Sequence, residues 1–265
     1  MLPTTKVAIM AANSAGDLLK RLVQKKCRES VKTPALLSDI VTEADFLSEK
    51  LIKKIVHHYY PESHILSEET NPDFDYKKSK HLWIVDPLDG TISFASGLPF
   101  YSVSIAYCVK QKLVSSALYL ALTEEVLWAE TGKGAYAGKR RLRCKDRPWE
   151  KCVIALDPGN RKRKIAMLKL APAVSRDIRF LQITSGEAGN LGLVAKGNLQ
   201  GVIGTTSVVW DYAAGIHLAL EAGAKVTDFQ GKPYNLFSGA GHVVAPPKVL
   251  PHIIKSTKKV AKYFT

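Results

Sequence analysis

The 265-residue chain has only four cysteines, Cys27, Cys108, Cys144 and Cys152, and no pair of them has CxxC spacing. They read as reduced thiols in a cytoplasmic protein, not as a zinc site or a disulfide framework. Long apolar runs are missing too. A membrane-spanning helix needs about 18 or more consecutive apolar residues, and none occur. The N-terminus lacks the pattern of a secretory signal. Instead Val7, Met10, Ala11, Ala15, Leu18, Leu19 and Leu22 recur at helical spacing. No internal repeat or low-complexity segment is visible. Acidic residues are scarce, 24 Asp and Glu against 38 Lys and Arg, for a formal net charge of +14. Where so few acids gather is therefore informative.

They gather first at Asp86-Pro87-Leu88-Asp89-Gly90-Thr91, after the apolar run Leu82-Trp83-Ile84-Val85. Two carboxylates three residues apart at a strand end can converge on one cation or a cation pair. Gly90 and Thr91 let the chain turn, with backbone N–H groups and one hydroxyl at the same place. Carboxylates for a hard cation beside N–H donors for an oxyanion suit a phosphate held by divalent ions. The same residues also make a good turn, because Asp starts turns, Pro fixes φ and Gly permits φ > 0. On these six residues alone the two readings are equal.

Further acids lie at Asp39, Glu43 and Asp45, at Glu68-Glu69 after Ile65-Leu66, and at Asp211 in Trp210-Asp211. Singly, Asp45 reads as a helix cap, Glu68 and Glu69 as solvated loop acids, and Asp211 as a helix-start acid. Four acidic groups at strand ends or helix starts of so basic a chain favour a shared site.

The pattern resembles the inositol monophosphatase family, within the wider fructose-1,6-bisphosphatase-like fold. That family's Asp-x-Val-Thr-x-x-Asp matches Asp39 to Asp45, and its Gly-Glu-Glu matches Ser67-Glu68-Glu69. Its Asp-Pro-[Ile/Leu]-Asp-Gly-Thr-x-x-Phe matches Asp86 to Phe94, and its Trp-Asp-x-Ala-x-Gly matches Trp210 to Gly215, followed by Glu221-Ala222-Gly223. Order and spacing hold over nearly the whole chain. The resemblance implies an α/β (α+β) fold, the layered α/β/α/β/α sandwich of the fructose-1,6-bisphosphatase and inositol monophosphatase type.

Hydrophobic periodicity places helices near residues 4–29, 45–59, 160–171, 186–197, 209–222 and 247–261. Strands are expected near 64–67, 81–85, 100–110, 112–121, 125–130, 152–156, 178–181, 200–204, 224–227 and 242–245. Two long strands around Lys110-Gln111-Lys112 suggest a hairpin. The basic stretch 138–148 reads as a boundary. Residues 1–145 would form an α+β lobe carrying most metal ligands, and 146–265 an α/β lobe supplying Asp211 and substrate contacts.

The resemblance also implies a mechanism. Asp86 would bridge two Mg²⁺ ions, Glu68 and the Leu88 carbonyl completing one site, Asp89 and Asp211 the other; a third ion is compatible. Thr91 paired with Asp45, together with Glu68, would activate water for in-line attack on phosphorus, and no covalent phosphoenzyme is needed. Gly90 and Thr91 N–H groups would hold the phosphate. Glu69 and Asp39 are read as supporting residues. Lithium sensitivity and a homodimer come with the same resemblance.

Substrate identity is less defined. Many inositol monophosphatases carry a Glu seven residues before the Trp-Asp aspartate, where it accepts hydrogen bonds from sugar hydroxyls. This chain has Gly204 there. The departure leaves inositol phosphates, 3′-phosphoadenosine 5′-phosphate, histidinol phosphate and fructose 1,6-bisphosphate as open substrates, and Gly204→Glu is expected to favour inositol phosphate. Glu187, in Ser185-Gly186-Glu187, is either a substrate contact or a helix N-terminal acid. The basic excess, in Arg161-Lys162-Arg163-Lys164, from Lys139 to Lys145 and at Lys255, Lys258, Lys259 and Lys262, reads as solvated charge steering an anionic metabolite. Without an aromatic-interleaved stripe, a nucleic-acid or partner surface is the weaker reading.

Overall fold

The structure is a computed structural model, and it describes residues 1–25, 29–32, 40–70, 75–76, 79–157, 161–205 and 208–258, without the side chains of 161–167. Asp39, Cys27, Lys259 and Lys262 lie outside the described residues.

Helix α1 (Pro3–Leu22) opens with proline in its first turn, where an N–H is not needed, and buries the small stripe Val7, Ala8, Ala11, Ala12, Ala15 and Leu19. It stops short of the expected residue 29, because Glu29–Val31 is extended as β1 and pairs antiparallel with β2 (Ile40–Thr42). Neither short strand shows in the periodicity, since three residues carry no readable alternation. Helix α2 (Glu43–Tyr59) follows at once, started by a capping box between Thr42 and Asp45.

Strands β3 (His64–Ser67), β4 (His81–Asp89), β5 (Ser102–Val109), β6 (Lys112–Leu120), β7 (Glu125–Glu130), β8 (Gly134–Ala137) and β9 (Arg140–Arg141) form one seven-stranded sheet in chain order. Only β3 and β4 run parallel. The β5–β6 hairpin turns at Lys110 and Gln111 with φ of 48° and 61°, the doubly positive pattern of a type I′ turn. One turn of helix, α3 (Thr91–Ala95), follows β4 directly.

The second sheet holds β10 (Val153–Leu156), β11 (Phe180–Ile183), β12 (Gly201–Gly204), β13 (Lys225–Asp228) and β14 (His242–Ala245), in the order β11-β10-β12-β14-β13. Its helices are α4 (Arg161–Ser175), α5 (Glu187–Ala195), α6 (Ala213–Glu221) and α7 (Leu250–Thr257). The periodicity had α6 begin at 209, but Val209–Asp211 is a separate 3-10 turn.

Helices α1 and α2 cover one face of the large sheet around Trp83, Ile105 and Tyr119. Helices α5 and α6 fill the space between the two sheets, and α4 and α7 cover the far face of the second. The result is the expected α/β/α/β/α sandwich. Among the described residues no helix is long and apolar enough to cross a membrane.

Candidate active site

The parallel pair β3–β4 sets Ser67 beside Val85, so the next residues, Glu68 just past β3 and Asp86 still within β4, lie side by side. Strand β4 bulges between Asp86 and Asp89, which pair with Ser104 and Ser102 of β5 on either side of the register shift. The bulge is held locally. Leu88 N donates to Asp86 Oδ1 at 3.0 Å, and Ser48 Oγ on α2 donates to the Pro87 carbonyl at 2.7 Å. Asp211 comes from the other half of the chain. Ser104, paired with Asp86 across β4 and β5, donates its hydroxyl to the Trp210 carbonyl at 3.1 Å, which brings Asp211 over the same strand ends. Carboxylate oxygens of Glu68, Asp86 and Asp211 thus all lie within 4.8 Å of one another.

Asp89 lies deeper. Its Oδ2 accepts from Ser102 Oγ at 2.7 Å and from Gly189 N on α5 at 3.1 Å, so it joins the large sheet to the middle helices. Asp45 takes two bonds from Thr42, N–H and hydroxyl, both at 2.7 Å on Oδ2. Its Oδ1 lies 3.1 Å from Thr91 Oγ1, which is also 3.1 Å from the Leu88 carbonyl. Gly90 takes φ of +89°, and a Cβ there would stand 2.6 Å from the Phe100 carbonyl oxygen, so only glycine makes this turn without strain.

Crowding of acids dominates the electrostatics. Burial pushes Asp86 well above the usual carboxylate range, and Glu68, Asp89 and Asp211 push it further. Burial raises Asp89 to about 7 against the opposing bonds from Ser102 and Gly189. Glu69 is raised to about 7 by burial and by Glu68. Burial also raises Asp45 and Glu68, less their hydrogen-bonding partners' pull. So many buried acids with so little positive charge fit a divalent cation, the one partner that compensates them all without a second side chain.

Sequence reasoning missed four contributors. Lys32 places its ammonium 2.7 Å from Glu68 and 2.6 Å from Glu69; burial alone would lower its pKa, but the two acids raise it. Glu69 is thus a partner of this lysine, and no local signal in the sequence marks Lys32. Asp157, buried after β10, adds to the field on Asp89 and Glu187; the signal was there, since Asp157-Pro158 follows an apolar run just as Asp86-Pro87 does. Ser102 and His242 had no such signal.

The two candidate substrate residues sit together, away from solvent. Gly204 ends β12, and Glu187 begins α5 with its side chain buried against His242. A Cβ on Gly204 would fall 1.8 Å from Glu187 Oε1. The expected gain from Gly204→Glu is therefore withdrawn: the volume is already filled by a carboxyl from another element.

The sequence profile of the inositol monophosphatase family matches residues 1–262. A Thermotoga maritima protein described as fructose-1,6-bisphosphatase/inositol-1-monophosphatase is 32% identical over 212 residues, 79% of each chain. A Haemophilus influenzae protein described as Nus factor SuhB is 32% identical over 251 residues, 93% of this chain and 92% of its own. Among solved structures, an IMPase from Thermotoga maritima superposes with a TM-score of 0.89 at 29% identity, covering 98% of this chain and 99% of that one. Sequence profile, relatives and architecture agree, and the chain belongs to the inositol monophosphatase family.

Proposed function

We propose that the chain is a Mg²⁺-dependent phosphomonoesterase acting on a small phosphorylated metabolite, most like an inositol monophosphatase. The observation that carries this is the convergence of Glu68, Asp86 and Asp211 oxygens within 4.8 Å beside the Asp45–Thr91 pair. Family membership supports a phosphatase of this superfamily. Glu68, Asp86, Asp89, Asp211 and the Leu88 carbonyl are the groups that would hold two or three Mg²⁺ ions. Bound Mg²⁺ would supply Lewis acidity at the phosphoryl group and ease ionisation of water.

The chain's own residues do the rest. Thr91 Oγ1, held between Asp45 and the Leu88 carbonyl, orients the attacking water, and Asp45, with Glu68, takes its proton. The αL turn at Gly90 leaves the N–H groups of Gly90 and Thr91 to bind phosphate oxygens. No side chain in this set needs to form a bond to phosphorus. Lithium sensitivity and a homodimer belong to the same reading. So does the division into lobes at 145/146, supported by a first sheet that ends at Arg141 and a second that begins at Val153.

Phosphate release from inositol phosphates, bisphosphorylated nucleotides, histidinol phosphate and fructose 1,6-bisphosphate, with Mg²⁺ and with EDTA, tests it. Mg²⁺-dependent, Li⁺-inhibited turnover of one class is expected, and silence across the panel would overturn it. Light scattering on the eluting protein checks the dimer.

A second role has its own support. Several relatives are named Nus factors. A groove between α4 and α7 gathers Lys169, Arg176 and Lys255 beside the stacked rings of Trp149 and His252, 5.2 Å apart. Basic charge next to an aromatic platform suits single-stranded nucleic acid. Salt-sensitive gel shifts with RNA, weakened in Arg176→Glu and Lys255→Glu, would support it.

A further inference from the structure

The groove between α4 and α7 encloses about 550 Å³, within the size range of pockets that hold small organic ligands. It lies in the outer helical layer, with the second sheet between it and α5 and α6, so it is separate from the clustered acids. Where the two helices meet, the lining is short: Pro172 and Ala173 of α4, and Ser256 of α7, whose hydroxyl donates to the Ala173 carbonyl at 3.3 Å. Short side chains there leave volume between the longer ones that complete the lining.

Those longer residues are of two kinds. Trp149, on the 3-10 turn Trp149–Lys151, and His252 of α7 stack ring on ring, 5.2 Å apart with 14° between their planes. Trp149 is half-buried and packs against the apolar cluster beneath α4 and α7, which anchors the stack. Lys169, Arg176 and Lys255 supply positive charge, and Asp177 is the one acid in the lining. Arg176 and Lys255 are exposed, and among the described residues neither has a carboxylate partner. Exposed cations alone are ordinary on so basic a chain. The combination with an aromatic plane and an enclosed volume is more selective. An inorganic anion would leave the rings unused, and an apolar ligand would leave the cations unused. A flat ring that carries a phosphate uses both, by stacking and by charge.

We propose that this groove is a nucleotide pocket, in which a nucleobase extends the Trp149–His252 stack and the adjoining phosphate meets Lys169, Arg176 and Lys255. The proposal rests on the reading of the groove as a nucleic-acid surface and deepens it: what the groove holds is one nucleotide, either free or as a unit of a single strand. The two rings already stack on each other, so a base adds to the stack rather than entering it. A duplex does not fit this chemistry, because its bases already stack on one another and leave the protein rings without a partner.

Binding is measured in EDTA, so that the acidic site hydrolyses neither probe. The probes are a fluorescein-labelled single-stranded RNA decamer, followed by anisotropy, and ADP, followed by calorimetry. The unmodified chain is compared with Trp149→Leu, Arg176→Gln and Lys255→Gln. Trp149→Leu should weaken whichever probe binds by about tenfold or more. Each cation removed should lower the slope of decamer affinity against salt, on logarithmic axes, by about 0.7. Turnover of p-nitrophenyl phosphate with Mg²⁺ should be unchanged in the two cation variants. ADP that binds and displaces the decamer makes a free nucleotide a ligand of the pocket, whereas Trp149-dependent binding of the decamer alone makes it a unit of a strand. Trp149-dependent binding of ADP alone supports the pocket and sinks the nucleic-acid reading. Binding that a folded Trp149→Leu variant leaves untouched overturns the pocket, and for the decamer it leaves the nucleic-acid reading standing. No binding of either probe overturns both. If Trp149→Leu does not fold, His252→Leu, at an exposed position of α7, gives the same comparison.

Discussion

Asp86 is the residue on which the metal reading turns. It is buried, ringed by three other acids, and held in place by its bond from Leu88 N. Asp86→Asn keeps that bond and removes one of the repelling charges. Turnover should fall by about a hundredfold or more, the upper end of what losing even an outer-shell partner of a metal costs. The metal-free protein should melt no lower than the unmodified chain. Near-native turnover with Mg²⁺ would contradict the metal assignment. Gly204 is the opposite case, a position that tolerates nothing. Gly204→Ala should cost about 1–3 kcal/mol as an overpacked core site, because its new methyl meets Glu187 Oε1. Thermal melts of that variant, alone and combined with Glu187→Ala, check the cause: the combined variant should recover part of the loss.

At the scale of elements, strand β5 organises the site by its serines. Ser102 faces Asp89 and binds its Oδ2, and Ser104 faces Asp86 and binds the Trp210 carbonyl. Two residues apart on one strand, they share a face of the sheet. One therefore fixes a ligand within the large sheet, and the other fixes the turn that brings Asp211 from the second half of the chain. Ser104→Ala should loosen that turn without touching any acid. The Mg²⁺ concentration for half-maximal activity should rise about tenfold, with about 1 kcal/mol lost in stability. A shift in melting temperature with unaltered Mg²⁺ dependence would mean that the tether serves packing alone.

For the whole molecule, the crowded acids make stability depend on pH in a direction set by their raised pKa values. A carboxyl whose pKa is higher folded than unfolded binds its proton more tightly in the native state. Its contribution is complete below the unfolded value and is lost as pH rises through the folded value. Asp89 and Glu69 are raised to about 7, and Asp86 well above its usual range. In EDTA the protein should therefore lose stability between about pH 4 and pH 7, and Mg²⁺ should restore more at pH 8 than at pH 5. His217 and His242, both pushed down to about 4 by burial, act in reverse. They cost stability as pH falls from about 6.5 to 4, so the difference between the Mg²⁺ and EDTA melts, rather than either alone, isolates the acids. A Mg²⁺ increment that does not grow with pH would contradict this electrostatic picture.

Much of this was legible in the chain itself. The apolar run 82–85 and the turn at Gly90 follow from local chemistry, strand pattern and turn residue, but the strand expected to end at 85 runs on through Asp89, and the helix expected from Asp45 starts at Glu43 with Thr42 as its cap. Periodicity also placed most helices and central strands, because each must bury one face. It did not resolve β1, β2, β8 and β9, which are two to four residues long, nor the break that makes Val209–Asp211 a turn of its own. What lies beyond local reach was decided by tertiary structure. Lys32 meets Glu68 and Glu69 only after the chain folds back across 36 and 37 residues. Glu187 reads in sequence as a helix-start acid, yet the packing of α5 on β12 and β14 buries it against His242, in the volume that Gly204 leaves open. Sequence determined which residues could ligate, turn and cap, since those properties belong to a residue and its near neighbours. Only the assembled sandwich decided which acids face one another and which are cut off from water, because distance and burial are set by contacts between segments far apart in the chain.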